Sequence, residues 1–266
     1  MNGAILDPYK PGTSILHKLD ARVKLAAAVA IILIANLTPI EAWPAFVGHA
    51  LLLLVVIASA ELSLLDVAKR SLLAAPFVLI AAIGLPFVRE GKPLLSIPLL
   101  SSSLVITDVG ALRFANAITK SWLSVITAIV LIFVTRFPDI LRAMRSLGVP
   151  IPLTSIIMLM YRYMFVLVEE AMRLLRARDA RSGALPGKKS GASLRWRASV
   201  TGHMIGTLFL RTYERSERIY QAMLARGYVG EIHVLSPRPM RISEALLGAA
   251  AVAAFAAASM TGLFFG

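Results

Sequence analysis

Cysteine is absent from this chain of 266 residues, which excludes disulfides and thiolate metal sites together. Histidine is scarce and scattered. His17, His49, His203 and His233 share no metal-ligand spacing, and each reads as a helix-end or interfacial residue. Aspartate stops at Asp179. The tripeptide Asp179-Ala180-Arg181 echoes the signature of membrane alcohol phosphotransferases, yet the downstream aspartates that hold that chemistry's divalent metal are missing. Nucleotide binding fails on similar grounds. The stretch GALPGKKSG (183–191) has its glycines too close together for a P-loop, Lys189 stands where Ser or Thr is needed, and no strand precedes it. Met1 to Asp20 has no apolar core of the secretory type, so the first apolar span is expected to insert as itself.

What is present is apolar and basic at once. Hydrophobic residues make up 58%, mean hydropathy is +0.75, and 28 Lys and Arg against 15 Asp and Glu leave a net charge of +13. In a soluble domain these figures conflict. They agree when apolar spans sit in lipid and basic loops gather on one side, which also accounts for the charge without invoking nucleic acid.

Read in order, Lys18, Arg22 and Lys24 place the N-terminus on the cytoplasmic side. A first span is expected from about Val23 to Leu37, stopping at Thr38-Pro39, and a second over Ala45 to Ala60. Lys69 and Arg70 mark a return inside. A third span covers Ser71 to Val88, with Pro76 and Pro86 as kinks. Arg89 to Ile106 is expected to be a polar outer loop. Thr107-Asp108 then caps a fourth span reaching Val134, whose first turns, with Arg113, Asn116 and Lys120, belong at the outer surface or against protein. Glu244 to Phe264 forms the last span, where the ridge Ala249, Ala253, Ala257 permits close helix approach.

Residues 136–241 differ in kind. Arg136 to Gly148 reads as an interfacial amphipathic helix, started by Pro138 and stopped by Gly148. Leu153 to about Ser182 reads as one long helix that dips its start into the membrane and runs out along the cytoplasmic face, with Glu169 and Arg173 as an i,i+4 pair. A second long helix runs from about Arg197 to Arg226. Between Glu169 and Arg241 lie fourteen of the twenty-eight Lys and Arg residues. Each long helix ends on a similar tripeptide, Ala180-Arg181-Ser182 and Ala225-Arg226-Gly227. An Arg at a helix end, beside Ala and a chain-turning Gly or Ser, projects with nothing next to it and suits insertion into a groove on a partner. Compensation of the helix dipole, ~0.3–1 kcal/mol, explains one such Arg; recurrence amid so much positive charge favours docking.

These features resemble the T component of energy-coupling-factor (ECF) transporters. Besides the paired motifs, Ser14 to Leu25 (SILHKLDARVKL) is similar to that family's Ser-Pro-Leu-His-Arg-Leu-Asp-Pro-Arg-x-Lys-Leu, with Ala21 where proline is common. Thr135 to Pro150 resembles its first coupling helix, and Tyr161-Arg162-Tyr163 an aromatic-basic stretch of the next. The length and the basic connection between the motifs look most like the cobalt-type CbiQ members. The resemblance implies an all-α integral membrane protein with about five transmembrane helices, an amphipathic helix and two long cytoplasmic coupling helices. Its regions would be 1–135 (four spans), 136–241 (coupling helices) and 242–266 (final span). It also implies a non-catalytic, multi-pass subunit of a prokaryotic cell membrane that binds no cofactor itself. ATP and Mg would be used by two cytoplasmic ABC ATPases, into which Ala180, Arg181 and Ser182, and Ala225, Arg226 and Gly227, would dock. A membrane substrate-binding (S) subunit, with room for a small accessory membrane subunit, would select the solute. Cobalt is the expected cargo; nickel or a vitamin such as biotin is the alternative within the class. A self-contained channel or secondary transporter is the alternative outside it, and that reading predicts polar groups buried mid-span.

Overall fold

A computed structural model of the chain describes residues 8–87, 93–99, 102–181, 193–230 and 240–265. They fall into two compact units, one formed by 1–147 with 238–266 and the other by 148–237.

The first unit begins with a knot built from the Ser14–Leu25 segment. Ser14 caps the short helix α1 (Ile15–Lys18), and Asp20 caps α2 (Ala21–Leu37) through the Arg22 amide. The His17 ring ties the segment back on itself. Its Nε2 lies 3.0 Å from the Lys10 carbonyl, which can only accept, so Nδ1 takes the Ser14 hydroxyl at 2.7 Å. Lys10 pairs with Asp66 and, with Arg70, lies over the Phe133 ring. Lys24 donates to the Val134 carbonyl at 3.1 Å. The segment that carries much of the family resemblance is thus a structural clasp on the end of the fourth predicted span.

Around this clasp pack α3 (Trp43–Ser59), α4 (Leu64–Ala82), α5 (Asp108–Val134) and α6 (Phe137–Ser146), closed by α9 (Ile242–Phe265). Helix α9 lies on α2 and α3, α5 on α2 and α4, and α6 on α2. Two apolar clusters fill the unit, one around Ile57, Val67 and Phe133 and the other around Ile31, Leu53 and Phe255. The Thr107 cap is present, its hydroxyl accepting from the Gly110 amide at 3.1 Å, and Lys120 packs on protein, donating to the Asn36 carbonyl at 2.9 Å. Among the described residues, three helices could cross a membrane by length and composition: α5, α7 (Ile151–Arg181) and the Ile242–Gly262 part of α9. With α3 as a shorter apolar helix, they make the chain a multi-pass membrane protein.

Four expectations need correction. The stretch expected as a polar outer loop contains an antiparallel hairpin within an otherwise all-α fold, β1 (Pro93–Leu99) and β2 (Ser102–Thr107), pairing Leu95 with Ile106 and Leu99 with Ser102. Pro86 does not kink the third span but lies in a 3-10 turn (Leu85–Phe87) after α4 has ended at Ala82. The Ala249, Ala253, Ala257 ridge faces outward. The packed face is the opposite one, where added Cβ atoms at Gly248 and Gly262 would lie 2.3 Å from Val23 Cγ1 and 2.6 Å from Ala45 Cβ. His49, finally, is neither terminal nor interfacial. It is 1% exposed inside α3; its Nδ1 donates to the Ala45 carbonyl at 2.6 Å, and its Nε2 lies 3.4 Å from the Ser259 hydroxyl, which contacts Thr38. Polar links of this kind hold membrane helices together for ~0.6 kcal/mol each on average.

The second unit consists of α7 and α8 (Leu194–Ala225). Helix α6 belongs to the first unit and lies on α2.

Candidate functional site

The two helices of the second unit are long and almost coreless. Helix α7 has 31 residues, of which only Thr154 and Ser155 are buried; α8 has 32 and buries none. Soluble helices of this length normally bury an apolar stripe ≳ 100° wide. Here Met160, Met172, Ile205, Phe209 and Leu210 are exposed instead. The four methionines along α7 are therefore partly open: Met160 and Met172 are exposed, Met158 and Met164 half-buried.

What holds the pair together is narrow. Beyond the apolar 151–168 stretch, Glu170 accepts from Arg211 of α8 at 2.7 Å and pairs with Arg173 at 3.4 Å. The i,i+4 pair predicted between Glu169 and Arg173 is replaced by this i,i+3 pair, because Glu170 is the carboxylate that faces α8. The Arg211 hydrogen bond holds the Glu170 carboxyl below its ordinary value, and the Arg173, Arg211 and Arg215 charges outweigh partial desolvation. A lowered carboxylate contributes stability above its unfolded pKa and loses it as pH falls through the depressed folded value. The distance between spin labels on cysteines introduced at Arg176 and His203 should thus hold steady from neutral pH and broaden at a lower pH than an ordinary glutamate would give, and in Glu170→Gln it should be broad at every pH.

Beside this tie lies an apolar cavity of about 290 Å³, lined by Leu159, Tyr163 and Val166 of α7 and by Ile219, Tyr220 and Met223 of α8, with Tyr228 at its end. Thr212 of α8 also lines it, whereas Ile205, further back on the same helix, is exposed. The cavity joins the start of α7 to the end of α8, while Glu170 meets Arg211 further back, so the helices run antiparallel. The two motif arginines therefore lie in opposite directions from the Glu170–Arg211 tie. At 1.5 Å per residue they are on the order of 40 Å apart if the axes stay aligned.

The second motif is a built helix end. Arg226 is the C-cap and Gly227 follows in the left-handed region, with φ +80. The Tyr228 amide donates to the Met223 carbonyl at 3.0 Å and the Gly227 amide to that of Leu224 at 2.9 Å. This is a Schellman cap, whose left-handed position favours glycine. Its usual apolar contact is present as well, since Tyr228 and Met223 line one cavity. Ala225, Arg226 and Gly227 are all exposed. In the first motif Ala180 and Arg181 are exposed at the end of α7; Ser182 and the 183–191 stretch lie outside the described residues. The Arg178 guanidinium bonds the neighbouring Asp179 at 2.8 Å, whereas neither Arg181 nor Arg226 forms an ion pair with a described residue. No group of three His, Asp or Glu able to hold a metal occurs among the described residues, and His233 lies outside them.

The sequence model of a family described as CbiQ, cobalt transport protein, matches residues 12–235. Among curated proteins, the cobalt transport protein CbiQ of Rhodobacter capsulatus is 29% identical over 160 residues, covering 60% of this chain and 63% of its own length. The energy-coupling factor transporter transmembrane protein EcfT of Listeria innocua is 26% identical over 235 residues, 86% of each chain. A putative ABC transporter ATP-binding protein of Bifidobacterium longum is 28% identical over 260 residues, which is 93% of this chain but 32% of that protein.

Proposed function

The chain belongs to the CbiQ family of cobalt transport proteins and is a T component of the ECF type, and from that premise we propose that it passes the motion of two cytoplasmic ABC ATPases to a membrane substrate-binding subunit. The carrying observation is the pair of near-coreless helices, each ending on an exposed Arg that forms no ion pair with a described residue. Helices of 31 and 32 residues that bury so little need partner surface, and two charged ends far apart suit two separate grooves better than one. The Bifidobacterium protein supports the partner's class, because a protein named for ATP binding contains a stretch similar to nearly all of this chain.

In this reading Arg181 and Arg226 each seat in one ATPase, and closure of the ATPases rocks α7 against α8 about the Glu170–Arg211 tie. Their exposed Met and aromatic face moves the substrate-binding subunit. The chain itself binds no ATP. Five crossings by α2, α3, α4, α5 and α9, with the N-terminus inside, fit the distribution of Lys and Arg; the packing of those five helices into one unit supports this. The apolar first half of α7 would dip into the membrane. The family and the Rhodobacter relative favour cobalt as cargo, with selection left to the substrate-binding subunit. Against a self-contained channel, His49, Ser259 and Thr38 of the first unit bond to one another and to backbone, and a cavity in that unit is apolar; the Asn116 amide nitrogen buried in α5 has no partner among the described residues and is a group that would suit that reading.

Mild-detergent purification of the tagged chain from its native host is the direct test. It should bring down ATP-hydrolysing ABC subunits at two per chain together with a small membrane subunit. Recovery of the chain alone, with cobalt uptake unchanged in cells lacking it, would rule the reading out.

A further inference from the structure

The stretch that ends the second motif faces solvent, with one exception. Leu224, Ala225, Arg226 and Gly227 are exposed, as are Val229 and Gly230, whereas Tyr228 among them is half-buried. Val229 stays outside although it is apolar, at 81% exposure, and the ring that bears a hydroxyl is turned in. The Schellman cap fixes that choice. Gly227 reverses the chain in the left-handed region just before Tyr228, and the Tyr228 amide is held on the Met223 carbonyl at 3.0 Å. The ring then lines the cavity of about 290 Å³ whose α7 wall includes Leu159, Tyr163 and Val166.

Helix α8 buries no residue, so its hold on α7 rests on few places. The Glu170–Arg211 tie is one of them. From Arg211 the helix runs on to Arg226 for about 22 Å at 1.5 Å per residue. An arm of that length, held at the tie alone, would swing at its motif end. The cavity lies along this arm, and walls separated by a void make no contact with each other. A side chain must bridge it before a push on one wall reaches the other.

We propose that Tyr228 is the positioning residue through which movement of Arg226 reaches α7. This rests on the coupling reading above, in which Arg226 is seated in an ATPase. Ring and guanidinium belong to one capped turn, and they move together for as long as the cap holds. Displacement of the motif end carries the ring against Leu159 and Tyr163, and the apolar first half of α7 follows. The contact is made by the ring face and not by the hydroxyl.

The test compares Arg226→Glu, Tyr228→Ala and Tyr228→Phe in cells and in the complex purified with its ATPases. Tyr228→Ala keeps Arg226 and the backbone bonds of the cap, so co-purified ATPase and ATP hydrolysis should stay near wild type. Cobalt uptake per ATP hydrolysed should fall on the order of tenfold, equivalent to ~1.4 kcal/mol of lost contact. Tyr228→Phe should restore coupling. Leu159→Ala, which removes part of the facing wall, should uncouple in the same way, and it serves should Tyr228→Ala misfold. In the chain alone, spin labels on cysteines at Met160 and Ala222, both exposed, should give a narrow distance in wild type and Tyr228→Phe. The distance should be broad in Tyr228→Ala. Arg226→Glu should instead weaken assembly itself; if it keeps its ATPases and its uptake in full, the coupling reading falls and this role falls with it. If Arg226→Glu behaves as expected but folded Tyr228→Ala imports normally per ATP, or loses its ATPases, the role of Tyr228 alone is overturned.

Discussion

Replacing Arg181 and Arg226 together by Glu is expected to leave a protein that is made and inserted normally but no longer holds its ATPases or imports solute. Both side chains are exposed at helix ends and make no ion pair with a described residue, so folding loses nothing that the structure shows. In a docked state each Arg forms charge-assisted hydrogen bonds worth roughly 1.5–3 kcal/mol apiece, and truncating such an anchor costs ~2–4 kcal/mol of binding. At about 1.4 kcal/mol per tenfold, one truncation weakens assembly by some 30- to 1000-fold. Charge reversal goes further, because a carboxylate would then face the groove's acceptors. Single variants should each retain partial assembly, since the proposed docking engages two grooves independently. Arg218→Glu is the control, on an exposed stretch of α8 away from its end. Co-purification and uptake should stay near wild type in this control. The docking reading fails if the double variant assembles and transports fully, or if the control abolishes both.

Much of this arrangement was legible in the chain because it rests on local rules. Thr107 before an apolar run, Pro138 at a helix start, and Gly148 and Gly227 at helix stops each act within one turn, and all appear where expected. What sequence could not show depends on partners distant along the chain. Glu169 and Glu170 are equivalent by spacing; Arg211, 41 residues on from Glu170, decides between them. Alanine is so common in α9 that an Ala ridge can be drawn on several faces, and only the positions of Val23 and Ala45 reveal that glycine marks the packed one. His49 looked interfacial because its acceptor is local but its other contact, Ser259, is 210 residues away. The hairpin was missed because Pro93 and Pro98 argue against a strand, although a two-stranded edge tolerates proline. Of the candidate site, the positions of the motifs were readable; the antiparallel order that separates them was not.

Gly227→Val separates the geometry of the second motif from its charge, and its expected effect on transport is nearly as large as that of losing Arg226. The substitution leaves Arg226 in place and meets no neighbour, since a Cβ at Gly227 points into open space. The cost is in the backbone. At φ +80 a side-chain-bearing residue is disfavoured by roughly 1–2 kcal/mol, and β-branching makes the position worse. The chain can relieve that strain by leaving the left-handed region, but the Schellman cap is then lost. The Met223 and Leu224 carbonyls lose their donors, Tyr228 leaves the cavity it shares with Met223, and the last turn of α8 frays. Arg226, the residue on which that turn ends, then samples many directions and pays an ordering cost on docking. Gly227→Asn, which tolerates the left-handed region, should keep most of the activity, so the pair of variants reports conformation rather than size or polarity. Expression should be unchanged in both, and helical content should fall by no more than the last turn of α8 in the Val variant. Co-purified ATPase and cobalt uptake should fall towards the level of Arg226→Ala in the Val variant alone. Full assembly by Gly227→Val would mean that the cap does not set the position of Arg226, and the motif would then reduce to its charge.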